Sequence, residues 1–215
     1  MRSFRAFFPA ALITAALVAG GPHASAGPLP DAEIFATDNT AIITDPADPR
    51  LDTDLAGFAA DVQRIVQHRG GSAVSTQLLD GVFFSSSLNQ TTFETSREFA
   101  VEHVTSTELR SIAQALQRRF HQESVLTFDH LPPGSRRIDG LELRIPGVSA
   151  QALRDGLLAD RTAGEELFGG SVTKDGELIL IASLDDRDLA RSFASSIGGD
   201  LGRAVEAFGD VQFVG

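Results

Sequence analysis

Cysteine, tryptophan and tyrosine are all missing from this 215-residue chain, and methionine occurs once. Without cysteine there is no thiol nucleophile, no thiolate metal site, no iron–sulfur cluster and no disulfide, so stability rests on packing alone. Without tyrosine there is no phenol for acid–base work. The aromatic set is fifteen phenylalanines, which fill cores but offer no polar tip. Carbohydrate platforms and interface hot spots, which favour Trp and Tyr, are disfavoured. Basic clusters are also scarce. The net charge is −11, and Arg118-Arg119 and Arg136-Arg137 are short pairs on solvated faces. Such a chain is a poor partner for phosphate backbones or anionic lipid.

Standard catalytic signatures are absent as well. No serine sits in G-x-S-x-G, and no H-E-x-x-H occurs. FGGSV (168–172) lacks the Lys-Ser/Thr of a phosphate loop, and no G-x-G-x-x-G opens a helix.

What is present begins with an N-terminal address. Arg2 and Arg5 precede an apolar stretch from Ala6 to about Gly20, followed by Ala24-Ser25-Ala26. This reads as a secretory signal peptide over 1–26, cleaved near Ala26, with no second apolar run to act as an anchor. The expected destination is the periplasm or the exterior.

The rest alternates between two periodicities. Residues 41–44 read as a short first strand, or as part of a small hairpin from Ile34. Asp48 and Pro49 open a helix whose stripe is Leu51, Leu55, Phe58, Val62, Ile65 and Val66, stopped by Gly70-Gly71. Residues 72–104 are β, with Asp80-Gly81 either a turn or a bulge. From Phe93 the alternation is clean, and Glu94, Glu98 and Glu102 read as an exposed row on the wet face. Thr105 and Glu108 form a capping box, with Val104 and Leu109 as its hydrophobic staple. The second helix carries Ile112, Leu116 and Phe120, and Ser124–His130 is a strand.

After PPGSRRID (132–139) the order repeats. Leu141–Ile145 is a strand, Ser149 caps a helix, and a hairpin turns at Asp175-Gly176. Asp186 starts a helix, a further helical turn or two covers 201–208, and Val211–Val214 closes the chain. Two βαββαβ units imply two tandem ferredoxin-like lobes, 27–134 and 135–215. The alternative is a single α+β domain with one continuous sheet. Leu178–Ile181 is apolar on both faces, so its second face needs cover from the other lobe or a second copy.

In that arrangement His68, His103 and Asp129-His130 reach one edge of the first lobe. They are the candidate metal ligands (His68, His103, His130) and the candidate catalytic set (His103, His130, Asp129). The acidic stretch TDPADPRLDTD reads as helix-cap residues rather than a calcium loop.

The functional expectation is an exported binding or interaction protein without catalytic machinery, working through an inter-lobe cleft or a sheet edge. The expected partner is an exported protein or a small molecule, not nucleic acid or membrane, with a homodimer in view. The alternatives are a His/Asp-dependent hydrolase or lyase, metal-assisted or not, and an inhibitor or folding helper for a co-secreted enzyme. No cofactor is expected, with a divalent metal left open.

Overall fold

The computed structural model describes residues 29–167 and 169–215, so the signal-peptide reading lies outside the described residues. The first half contributes β1 (Ala32–Ala36), α1 (Ala56–His68), β2 (Ser72–Ser85), β3 (Gln90–Glu102), α2 (Ser106–Phe120) and β4 (Val125–His130). The second contributes β5 (Gly140–Pro146), α3 (Ala150–Ala159), α4 (Arg161–Glu166), β6 (Gly169–Thr173), β7 (Glu177–Ser183), α5 (Arg187–Ser196) and β8 (Val205–Val214). The eight strands form one closed antiparallel barrel in the order β1-β3-β2-β6-β7-β5-β8-β4.

This corrects the expected architecture. The chain does not make two tandem ferredoxin-like lobes, nor a single open sheet. Both seams cross the Pro132-Pro133-Gly134 connection: β2 pairs with β6, and β4 pairs with β8. There is therefore no cleft between lobes. Closure gives every strand two neighbours, although β6 covers only Leu79–Phe83 of β2, so Ser72–Leu78 pair with β3 alone.

The apolar cores lie outside the barrel, between strands and helices. Ile34, Phe99 and Val101 pack on Phe58, Val62, Ile112 and Leu116 of α1 and α2. Leu141, Leu143, Leu178 and Leu180 pack on Leu153, Leu157 and Phe193 of α3 and α5. Each such side chain contributes roughly 1.5–3 kcal/mol by leaving water. Because strand side chains alternate, the residues between these face the barrel interior. Ile179 and Ile181 do so, which supplies the second cover that the β7 sequence demands.

Several local signals form as written. Thr105 caps α2 with both halves of the capping box in place, and Val104 and Leu109 join the same apolar cluster. Thr105→Ala is expected to cost about 1 kcal/mol in urea denaturation, followed by far-ultraviolet circular dichroism. Asp175-Gly176 turns the β6–β7 hairpin, with Gly176 at φ +80°.

Others differ for identifiable reasons. Asp48 caps only a 3-10 turn, Pro49–Leu51, and α1 starts later, at Ala56, after Leu55 adopts φ +52°. Thr53 and Asp54 side chains accept the Leu55 and Ala56 amides and hold that break. The first strand is Ala32–Ala36, and Ile43 makes a single bridge to Phe93. Asp80-Gly81 lies inside one long strand, the second of its two readings though without a bulge there, and the turn falls at residues 86–89 within the polar SSSLNQTT, as that composition indicates. Residues 205–210, expected to be helical in part, are strand, because β8 must run the full height between β4 and β5.

Candidate functional site

Glu33, Glu98, Glu142 and Arg144 stand on β1, β3 and β5; Glu33, Glu142 and Arg144 are flanked in sequence by apolar residues that face the helices, and Glu98 adjoins Phe99, which does the same. Alternation therefore sends all four charges inward. Arg144 Nη2 lies 2.5 Å from Glu142 Oε1, 3.0 Å from Glu98 Oε1 and 3.2 Å from Glu33 Oε1. Gln77 Nε2 donates to Glu98 Oε2 at 2.7 Å. The three carboxylates are almost fully buried, at 3%, 6% and 1% exposure, against a single buried guanidinium.

Burial, reinforced by the Glu98 charge, pushes the Glu33 carboxyl upward. Burial and the neighbouring Glu33 do the same to Glu142. For Arg144 burial works against the charged form, but Glu142, Glu98 and Glu33 outweigh it and the net shift is upward. His130 points into the same cluster, its Nε2 3.3 Å from Glu33 Oε1 and 3.9 Å from Glu142 Oε2. Burial lowers its pKa, so the ring is neutral near pH 7. Phe128 packs edge-on against it at 4.9 Å.

Above this polar layer the barrel opens into a cavity of about 1310 Å³. Its walls include Phe35, Phe83, Leu126, Ile179, Ile181 and Val211, each on an inward-facing strand position. At the mouth Ile42 and Phe213 are both 71% exposed, an apolar rim on an otherwise acidic molecule. Polar side chains on the cavity wall include Glu94, Ser96, Ser171 and Ser183 on the strands, with Thr37, His121 and Glu166 among the others. Gly169, on the cavity wall at φ +145°, brings β6 so close to β2 that a Cβ there would lie 2.3 Å from the Val82 carbonyl oxygen.

Glu94 is the chemically distinctive wall residue. It is half-buried, and desolvation pushes its carboxyl up to about 7, against a weaker opposing hydrogen bond to Ser96. It is not part of an exposed row: Glu94 and Glu98 face the barrel interior, since the side of β3 that looks wet in isolation is enclosed by closure.

The residues singled out from sequence are not brought together. His68 and His103 are exposed, whereas the His130 side chain is 8% exposed inside the barrel. His103 is a joint residue at φ +61°, its N–H donating to Asp31 Oδ2 at 2.7 Å. Asp129, one position before His130, points to the opposite face, where Ser106 Oγ and Arg137 Nη2 donate to it. Asp129 and His130 therefore do not form a pair. Among the described residues, the group with metal-ligand spacing is Glu33, His130 and Glu142, so a metal stays possible with one of the three expected histidines and two unforeseen glutamates. Among those residues, too, no helix is long and apolar enough to cross a membrane.

No protein-family model matches this chain, and no curated protein matches it. Among solved structures, an anthrone oxidase-like protein aligns at 10% identity over 86% of this chain and 93% of its own, with a TM-score of 0.26. A protein proposed to be a monooxygenase, from Fusobacterium nucleatum subsp. nucleatum, aligns at 10% identity over 87% and 93%, with a TM-score of 0.24. At such scores neither likeness carries an argument about the present chain.

Proposed function

We propose that this protein binds a small, largely apolar molecule inside the mouth of its barrel. The observation that supports the reading is the cavity of about 1310 Å³ walled by inward-facing Phe, Leu, Ile and Val side chains. Ligand sites are typically concave, mostly apolar and fitted with a few convergent polar groups. Here those groups include Glu94, Ser96, Ser171 and Ser183, and the ligand carries a polar function, a hydroxyl or amine, that meets Glu94. With the N-terminal segment read as a signal peptide, the molecule works after export.

The test uses a neutral solvatochromic dye such as Nile red, which avoids repulsion by the acidic protein. Saturable binding is expected, with about one site per chain. Ile181→Lys places a charge on the wall and is expected to weaken binding at least tenfold, about 1.4 kcal/mol. Equal binding by a well-folded Ile181→Lys protein would remove the cavity as the site.

A catalytic reading has one specific support, Glu94. A carboxyl held near neutrality in an apolar cavity is poised to accept a proton and return it. It would serve proton transfer on a bound ligand. This replaces the histidine-based mechanism, whose members sit apart. Once a turnover is found, Glu94→Gln is expected to abolish it while dye binding persists. Full turnover by that variant would exclude the role.

A further inference from the structure

We infer that His130 Nε2 and the Glu33 and Glu142 carboxylates form a binding site for a first-row divalent transition cation, of the zinc or manganese type. The donor atoms all lie within 4.8 Å of one another, and two of the separations are 3.3 and 3.9 Å. Ligand atoms about 2.0–2.2 Å from a shared ion are themselves about 3–4 Å apart, so the group needs little contraction.

The second observation is what these side chains lack. His130 Nε2, Glu33 Oε2 and Glu142 Oε2 are buried without a hydrogen-bond partner. Buried polar atoms in native proteins are nearly always satisfied, and three unpartnered atoms on neighbouring side chains mark a place built for something else. The His130 side chain is itself 92% buried and aimed into the group.

Arg144 sets the orientation. It lies against Oε1 of Glu142 and leaves Oε2 of that residue facing His130, while Oε1 of Glu33 lies against both Arg144 and His130 Nε2. That is an outer-shell role, in which a partner on one carboxylate oxygen aims the other at the metal. Glu98 pairs with the same guanidinium and offsets the repulsion Arg144 would exert on a cation. An incoming dication would displace the protons that burial favours on Glu33 and Glu142, and with both carboxylates and Glu98 ionised against Arg144 the layer's two excess negative charges are balanced by the ion.

One imidazole and two carboxylates suit zinc, manganese or iron(II). Calcium wants six to eight oxygens, and copper(I) wants sulfur. The site lies one side-chain step below the cavity, since Phe35 and Ser96 line the cavity while Glu33 and Glu98 lie two residues further along the same strands. This inference is independent of the ligand-binding proposal, and either can fail alone.

The experiment strips the purified protein with chelator and titrates zinc, manganese, cobalt(II) and calcium separately. Zinc or manganese is expected to bind at one ion per chain by elemental analysis and to raise the melting temperature with concentration, while calcium does neither. Cobalt(II) is expected to give visible ligand-field absorption. His130→Ala is expected to weaken zinc binding at least about tenfold, by the loss of a direct ligand. Should that variant fail to fold, Glu142→Gln and the cobalt spectrum of the unmodified protein decide the matter. A His68→Ala/His103→Ala/His121→Ala variant is expected to retain the site. Binding that survives His130→Ala and Glu142→Gln but vanishes in the triple variant would overturn the inference, as would the absence of both a melting shift and a cobalt band.

Discussion

Arg144→Met is expected to cost about 3–5 kcal/mol of folding stability, the largest single-residue effect in the molecule. Among the described residues the arginine is the one permanent cation lying against Glu33, Glu98 and Glu142, all nearly inaccessible to water. Removing one partner of a buried ionic group leaves uncompensated charge in low dielectric, which costs more than the intact pair ever contributes. Methionine keeps much of the volume, so the loss is electrostatic rather than a cavity effect. For a domain with about 5–15 kcal/mol in total, this reaches a large fraction of the margin. The measurement is urea denaturation by far-ultraviolet circular dichroism on metal-free protein, because the chain has no Trp or Tyr to report by fluorescence. Adding Glu98→Gln to Arg144→Met should recover part of the loss, since Glu98 then has no charge to strand. A cost below about 1 kcal/mol would mean that the carboxylates stay neutral without Arg144, and the electrostatic account of this layer would be abandoned.

Glu94 carries the second large effect, with the opposite sign. Its carboxyl lies at about 7 in the native protein against 4.5 for a free side chain. The native state therefore holds its proton more tightly than the unfolded chain does. The contribution is fully present below about pH 4.5 and is lost as pH rises through about 7. At 1.36 kcal/mol per pH unit the difference approaches about 3 kcal/mol, and partial access to the cavity reduces this to about 2. Glu94→Gln removes the ionisation. Relative to the unmodified protein, the variant should gain about 2 kcal/mol between pH 4.5 and about pH 8. A stability difference that does not change with pH would show that Glu94 is solvated like an ordinary glutamate.

These effects arise from a layer that sequence reading placed on the wrong side. The element order, the α2 capping box and the β6–β7 turn depend on neighbours a few residues apart, and local chemistry exposes them. Barrel closure depends on pairings such as Leu79 with Thr173 and Thr127 with Gln212, which no local pattern specifies. Hence Glu94 and Glu98 read as part of an exposed row. One signal did bear on closure. Leu178–Ile181 is apolar on both faces and requires a second cover, and the barrel interior supplies it to Ile179 and Ile181. Charges of both signs in mid-strand, at Glu33, Glu98, Glu142 and Arg144, were a second signal for an enclosed polar layer. The histidines misled because their strand ends were placed on a common edge without regard to which face each side chain takes. His130 turns inward, and His103 occupies a turn with its side chain in water.

The position of β8 shapes how the molecule must assemble. It lies between β4 and β5, contributed by different halves of the chain, and is the sole bridge between them on that side. Until residues 205–214 dock, the other seven strands form an open ribbon whose two outer edges are β4 and β5, with the Glu33–Glu142 layer bared to water. The interior is thus enclosed only once β8 is in place, and because Val214 and Phe208 of that strand also pack on the two helical cores, closing the wall and completing those cores are one and the same step.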